Sequence, residues 1–139
     1  MASLVPSREQ IQTMLGQAPD RPMVMVNLLK FRDQAAYAPD QPEAKAGLSG
    51  RAAYARYGAV ALEQVQKRGG RVAWGGATRF VMIGEAGEHD WDEVVCVYYP
   101  SPAAFLEMTA DADYLAAHHH REAALELTAL ICCDAGMGA

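Results

Sequence analysis

The chain has 139 residues, 51% of them hydrophobic, and a net charge of −5. It is long enough for one domain that buries roughly 68% of its unfolded surface. No apolar run approaches the ~20 residues that cross a bilayer. Met1-Ala2-Ser3-Leu4-Val5-Pro6 has no basic region followed by an apolar core, so no secretion signal is predicted, and scattered basic residues argue against a nucleic-acid surface. Cys132 and Cys133 are neighbours that leave a strand on opposite faces, and with Cys96 the count is odd. No disulfide framework is expected, and a reducing, cytoplasmic compartment is.

Ser7-Arg8-Glu9-Gln10 has the spacing of a capping box and predicts a short helix to Leu15, with Gly16 as its stop. Pro19 and Pro22 bracket a turn into the strand Met23–Phe31. The segment 33–50, with Pro39, Pro42 and two glycines, reads as a long loop with room for a short turn. The strongest helical pattern runs from Arg51 to Lys67, where Tyr54, Tyr57, Gly58, Ala61, Leu62 and Val65 form one stripe. Gly69-Gly70 ends it. A strand is predicted from Val72 to Gly84, interrupted at Gly75-Gly76 by a bulge or a close backbone approach. After a turn at 87–90 comes the strand Trp91–Tyr99. Ser101 then caps a helix with Pro102 at its first position and Phe105 and Met108 along it. A short helical piece carries Tyr114 and His118-His119-His120-Arg121, and a last strand runs from Leu125 to Cys133.

Two β-α-β units in tandem predict a ferredoxin-like α+β sandwich, a four-stranded antiparallel sheet with two helices on one face. The whole chain, 1–139, is then a single domain, with a lead-in over 1–22 and the core over 23–133. Both faces of the first and third strands are apolar. Met23, Met25, Leu29 and Phe31 oppose Val24, Val26 and Leu28, and Val95, Val97 and Tyr99 oppose Val94, Cys96 and Tyr98. A sheet with helices on one side alternates apolar with polar. The second face therefore needs its own cover, and a second copy of the sheet supplies it, so a homodimer is expected.

Several residues could carry chemistry. Asn27 is an amide in an apolar strand and must be hydrogen-bonded, to a loop or to a ligand. Tyr54 and Tyr57 lie on the buried stripe, so their hydroxyls need partners. Trp74 and Arg79 could wall and charge a cavity. His120 can serve as acid or base, and Arg121 as a fork for a carboxylate or enolate; the plain alternative is a helix-end hydrogen bond and a structural salt bridge. Three consecutive helical histidines point about 100° apart and cannot all reach one ion. One of the three is expected to face inward, and no metal is assigned. A pocket of Asn27, Tyr54, Trp74, Arg79, His120 and Arg121 between sheet and helices would have more donors than acceptors, which suits a small anionic or carbonyl-bearing ligand. The phosphate loop, the dinucleotide fingerprint, paired zinc cysteines and the nucleophile elbow are all missing, and no cofactor is expected.

The run Met25-Val26-Asn27-Leu28-Leu29-Lys30-Phe31-Arg32 is followed in order by Tyr54, Tyr57-Gly58, Gly69-Gly70, Trp74 and Gly76. Trp91-Asp92, Val95 through Ala104-Phe105, Met108, Tyr114, His120-Arg121 and Ala124-Leu125 complete the series. This pattern, over roughly residues 23–133, resembles the bacterial family named domain of unknown function 1330, within the dimeric α+β barrel superfamily. The resemblance implies the ferredoxin-like fold and pairing into a dimeric barrel. The superfamily includes cofactor-independent monooxygenases, haem enzymes and isomerases, and fold does not choose among them. Three readings follow: a cofactor-independent enzyme on a small organic acid or carbonyl compound, with His120 and Arg121 catalytic; a non-catalytic ligand-binding or stress-related dimer; and a haem- or metal-binding protein through the histidine run.

Overall fold

The structure is a computed structural model and describes residues 3–136. Its elements follow the order α1 (Arg8–Leu15), β1 (Met23–Phe31), α2 (Gly50–Lys67), β2 (Arg71–Ala77), β3 (Glu93–Tyr99), α3 (Pro102–Ala110), α4 (Ala112–Ala124) and β4 (Leu125–Asp134), with one 3₁₀ turn at Pro42–Lys45. The four strands form one antiparallel sheet in the order β2-β3-β1-β4. This is the ferredoxin-like α+β arrangement. No described helix is long and apolar enough to cross a membrane.

Local chemistry explains the helix starts. The Ser7 hydroxyl accepts from Gln10 N–H at 3.1 Å, and the Gln10 side chain accepts from Ser7 N–H at 2.9 Å, a complete capping box. Ser49 and Ser101 cap α2 and α3 with the hydroxyl alone, accepting from Ala52 N–H at 3.0 Å and Ala104 N–H at 3.1 Å. Asp111 ends α3 and begins α4, its carboxylate accepting from Asp113 N–H at 2.8 Å and from Tyr114 N–H at 3.3 Å. The backbone N–H of Asp113, then that of Tyr114 and the Arg68 guanidinium, hold this carboxyl below its ordinary pKa against an opposing push from burial. The helical piece before the last strand is thus a full 13-residue helix, longer than α3.

The core lies between the sheet and its helices. Leu29, Ala124 and Leu125 are fully buried, with Met23, Met25, Tyr57, Val65, Tyr99, Met108 and Tyr114 forming the rest of the apolar centre. Val95 and Val97 pack against these groups, which places them on the helix-covered face. The inward side of α2 differs from the expected stripe. Ala53, Tyr57, Gln64 and Val65 are buried whereas Leu62 is exposed, because α2 packs along α4 as well as onto the sheet.

The strand register defines the opposite, helix-free face. Arg71, Tyr98, Val24 and Cys133 stand in one row across the four strands, then Trp74, Cys96, Val26 and Ile131, then Gly76, Val94, Leu28 and Ala129. Apart from Arg71, which stacks on Tyr98 at 4.3 Å, every side chain in these rows is apolar, aromatic or a thiol. The three cysteines are free thiols.

Two expectations for β2 are corrected. The strand ends at Ala77, and residues 78–84 are an irregular segment in which Phe80, Met82 and Ile83 are exposed. The register shift falls between Val72 and Trp74 rather than at Gly75-Gly76. Trp91 N–H donates to His89, and the Thr78 hydroxyl donates to the Trp91 carbonyl, so the chain at 78–92 is held as a loop.

Gly50 sits where three elements meet. Its N–H donates to Arg32 O at 3.0 Å, while Arg32 N–H donates to Ala124 O at 2.8 Å. A Cβ on Gly50 would drive into the Arg32 carbonyl and come within 2.6 Å of Ala124 O, both backbone atoms that cannot step aside cheaply. Gly50→Ala is therefore expected to destabilise the fold by about 1–3 kcal/mol, the usual cost of overpacking. Urea denaturation with an unchanged slope and a lowered midpoint is the expected result.

Candidate functional site

The residues expected to share one pocket divide among several places. Arg121 and His120 are neighbours on α4 and, at about 100° per residue, leave the helix in different directions. Arg121 turns into the core, 6% exposed. Its Nη1 donates to Leu4 O at 3.2 Å and its Nη2 to Thr128 Oγ1 at 3.4 Å, with the guanidinium carbon 5.9 Å from the centre of the Tyr57 ring. Thr128 passes its own proton to Leu28 O at 2.9 Å, which ties this contact to β1.

Tyrosines surround the guanidinium. The hydroxyls of Tyr57 and Tyr114 lie 3.0 Å apart, and Tyr54 packs on Tyr57 with ring centres 5.3 Å apart. Burial pushes the hydroxyls of Tyr54, Tyr57 and Tyr114 above the ordinary phenol pKa, while the positive charge of Arg121 draws each back in part. These groups are proton donors at neutral pH, not bases. Leu4 packs against the buried cluster of Leu29, Ala53, Ala124 and Leu125, as Tyr54, Phe31 and Val95 do, and its carbonyl reaches Arg121, so the N-terminal segment meets this site.

His120 belongs to a second cluster. Tyr37 Oη lies 2.6 Å from His120 Nδ1, Glu43 Oε1 lies 3.0 Å from His119 Nε2, and the His119 and His120 rings stack with centres 4.0 Å apart. Burial, then the neighbouring His119 charge, pull the His120 pKa below its ordinary value, with Glu43 opposing. The hydrogen bond from His119 holds the Glu43 carboxyl below the usual range, and burial raises the Tyr37 hydroxyl. A groove of about 380 Å³ between α2 and α4 opens beside this cluster, lined by Arg56, Gln64, Asp113 and His120 among others. His118 points elsewhere, to Glu122 at 2.9 Å. Two of the three histidines thus converge, where one was expected.

The remaining candidates stand apart. Asn27 lies on the helix side of the sheet, but its amide donates to Val95 O at 3.1 Å and Met25 O at 3.5 Å, within its own sheet. Trp74 is 59% exposed and on the helix-free face. Arg79 is in the exposed segment after β2. A single pocket of Asn27, Tyr54, Trp74, Arg79, His120 and Arg121 is not formed; Tyr54 and Arg121 are the pair that the fold brings together. A second groove, of about 430 Å³, follows the end of β1 past Lys30, Arg32, Asp92 and Glu126 and holds none of the six. Sequence reasoning missed Tyr37, Glu43 and Arg56. The length of the segment 33–50 was the one signal pointing toward the first two, and nothing in the pattern of the α2 helix distinguished Arg56.

A family model described as domain of unknown function (DUF1330) matches residues 44–134. The chain belongs to this family. Among solved structures, it is similar to the crystal structure of RPA0582, a protein of unknown function from Rhodopseudomonas palustris, at 36% identity over 96% of this chain and 97% of that one, with a TM-score of 0.85. It is likewise similar to the crystal structure of methylated RPA0582, at 34% identity over 96% of this chain and 94% of that one, with a TM-score of 0.86. No curated protein matches the chain. At this identity and coverage the chain shares its fold with RPA0582, and neither description names an activity.

The Tyr57–Tyr114 hydroxyl pair is almost fully enclosed, so removing one member strands the other. Tyr57→Phe and Tyr114→Phe are each expected to cost about 1–3 kcal/mol. The double variant should cost clearly less than the sum, since it leaves no unpaired hydroxyl behind. Chemical denaturation of the four proteins checks this, and strict additivity would mean that the two hydroxyls do not depend on each other.

Proposed function

We propose that the protein binds a small carboxylate or enolate-forming carbonyl compound beneath its helices and does so as a homodimer. Arg121 is the observation that carries the reading. A guanidinium offers five N–H donors; among the described residues this one donates to Leu4 O and Thr128 Oγ1 and lies beside the Tyr54 hydroxyl. Among the described residues no carboxylate approaches it within the 4.0 Å of an ion pair. A buried cation without a counter-charge is costly, and a carboxylate ligand would supply the missing charge in the bidentate geometry that arginine favours. The Tyr54 hydroxyl, kept protonated by burial, would donate to the same anion. Leu4 O stands where an oxygen of the ligand would be received, so entry would displace the N-terminal segment from Arg121.

The arrangement favours binding over catalysis. His120, the candidate acid or base, is occupied with Tyr37 in the other cluster, and its side chain leaves α4 in a different direction from that of Arg121. Among the readings open from the sequence, the ligand-binding dimer therefore accounts for the geometry better than the cofactor-independent enzyme.

The dimer reading rests on the helix-free face. Its rows of Val24, Val26, Leu28, Val94, Cys96 and Ile131 form a continuous apolar surface of the kind that a second sheet covers. Phe80, Met82 and Ile83, at 74, 81 and 93% exposure, add apolar area outside the sheet that also lacks a cover among the described residues.

Thermal unfolding with a panel of short mono- and dicarboxylates tests the anion site. A ligand at a hundred times its Kd stabilises by about 2.7 kcal/mol, which for a domain of this size raises Tm by roughly 8 °C. Arg121→Gln should abolish that shift and Arg121→Lys should keep a weaker one, because a point charge replaces a planar fork. Equal shifts in wild type and Arg121→Gln would remove the reading.

Sedimentation tests the pairing. Wild type should run as a dimer at micromolar concentration. Val26→Asp, in the centre of the helix-free face, should run as a folded monomer with its helical signal intact, since burying the new charge costs several kcal/mol. A well-folded wild-type monomer would refute the dimer.

A further inference from the structure

We propose that Glu43, His119 and His120 form a binding site for a first-row divalent metal ion, with Zn²⁺ the best match to the ligand set. The site is separate from Arg121 and does not depend on the anion reading. One ligand atom from each of the three residues lies within 4.8 Å of the others. Glu43 Oε1 is 3.0 Å from His119 Nε2 and 4.0 Å from His120 Nε2. Around a tetrahedral ion with bonds of about 2.1 Å, ligand atoms stand about 3.4 Å apart, so small rotations of the side chains close the set.

Proximity alone would not suffice, because histidines and carboxylates also meet as ion pairs. The hydrogen bonding around His119 says more. Its Nδ1 lies 3.0 Å from the Ala116 carbonyl, which can only accept, so the ring must carry its proton there. In the neutral ring Nε2 is then a lone pair, and it faces Glu43 Oε1, another acceptor. Two acceptors at the two ring nitrogens require a positive charge in the site, either a second proton or a metal ion. His120 has the same orientation, with Nδ1 engaged by Tyr37 Oη and Nε2 turned toward Glu43. Both rings thus have the outer nitrogen fixed by a partner and the inner nitrogen aimed at one point, the pattern that orients histidine ligands to metals.

Glu43 gives the second, independent observation. Its Oε2 is buried and has no hydrogen-bond partner. The other oxygen of the same carboxylate faces the two imidazole nitrogens, and an ion bound by both oxygens would satisfy the orphan. The three side chains are 15, 28 and 14% exposed for Glu43, His119 and His120, partly shielded yet reachable. Two imidazoles and a carboxylate suit Zn²⁺, Fe²⁺ and Mn²⁺, and three protein ligands leave at least one position for water or another small molecule. The set spans the 3₁₀ turn at Pro42–Lys45 and the middle of α4, so an ion there would also clamp the segment 33–50 onto the helix.

The test is calorimetric titration of ZnCl₂ into the full chain after treatment with chelator and dialysis, alongside Co²⁺ as a spectroscopic probe. Wild type should bind one equivalent of Zn²⁺, and Co²⁺ should show the visible bands of a four- or five-coordinate ion. Glu43→Gln and His119→Ala should each weaken binding by about 100-fold or more, the upper range for losing even an outer partner. His118→Ala, whose ring serves Glu122, should leave it unchanged. Circular dichroism checks that each variant is folded. Imidazole ¹⁵N spectra of the wild type give a measurement that needs no variant, because Zn²⁺ should move the Nε2 signals of His119 and His120 and not those of His118. Absence of binding by folded wild type would overturn the site, as would retained binding in Glu43→Gln or a Zn²⁺ response confined to His118; His119 would then be a simple imidazolium paired with Glu43.

Discussion

The backbone junction of Arg32, Gly50 and Ala124 is the constraint from which the rest of the structure hangs. Arg32 N–H reaches Ala124 O, Gly50 N–H reaches Arg32 O, and Ala36 N–H reaches Ala123 O, all within 2.8–3.0 Å. These bonds join the end of β1, the start of α2 and the end of α4 where Gly50, Ala123 and Ala124 are buried and unpaired backbone groups would be expensive. The register of β4 beside β1 breaks at the same point, between Lys30 and Phe31. The only residue that fits the middle of this junction has no side chain, and a glycine stands there. Because α4 enters the junction at a fixed angle, the orientation of every side chain along it is set, including His119, His120 and Arg121.

That orientation separates two kinds of chemistry by one helical step. Arg121 faces inward among tyrosine hydroxyls and Thr128, where its charge is partly desolvated and strong. His120 faces the segment 33–50, where Tyr37 and Glu43 wait. A polar buried group is tolerated only when its partners are supplied, and the two clusters differ in how completely that is done. Tyr57 and Tyr114 satisfy each other, whereas among the described residues Arg121 meets no carboxylate and Glu43 Oε2 has no hydrogen-bond partner.

The sheet adds a further consequence. Its helix side is filled by Leu29, Met25, Val95, Val97 and Tyr99, and its other side presents Val26, Cys96 and Ile131 in register. Apolar residues on both sides of a strand cannot be explained by one layer of helices. The similarity to RPA0582 shows a shared fold, while chemistry specific to this chain resides in the side chains grafted onto it.

Much of the fold was legible before the structure. Apolar runs located β1, β3 and β4, the stripe from Tyr54 to Val65 located α2, and the capping residues Ser7 and Ser101 mark helix starts whose hydrogen bonds are local. Local signals failed at β2, where Phe80, Met82 and Ile83 read as strand but, among the described residues, find no partner strand beyond Ala77. The candidate site was legible only as residue types. Tyr54 and Arg121 were singled out and do meet, and the histidine run was singled out without its partners. Tyr37 and Glu43 come from a segment with no periodic pattern, more than seventy residues from His119 and His120 in the chain. Sequence by itself determined the elements, their order and the two-sided apolar sheet, because those depend on neighbours within a few residues. Only the tertiary structure decided which polar groups face one another, since that depends on the angle at which α4 and the segment 33–50 are fastened across the Arg32–Gly50–Ala124 junction.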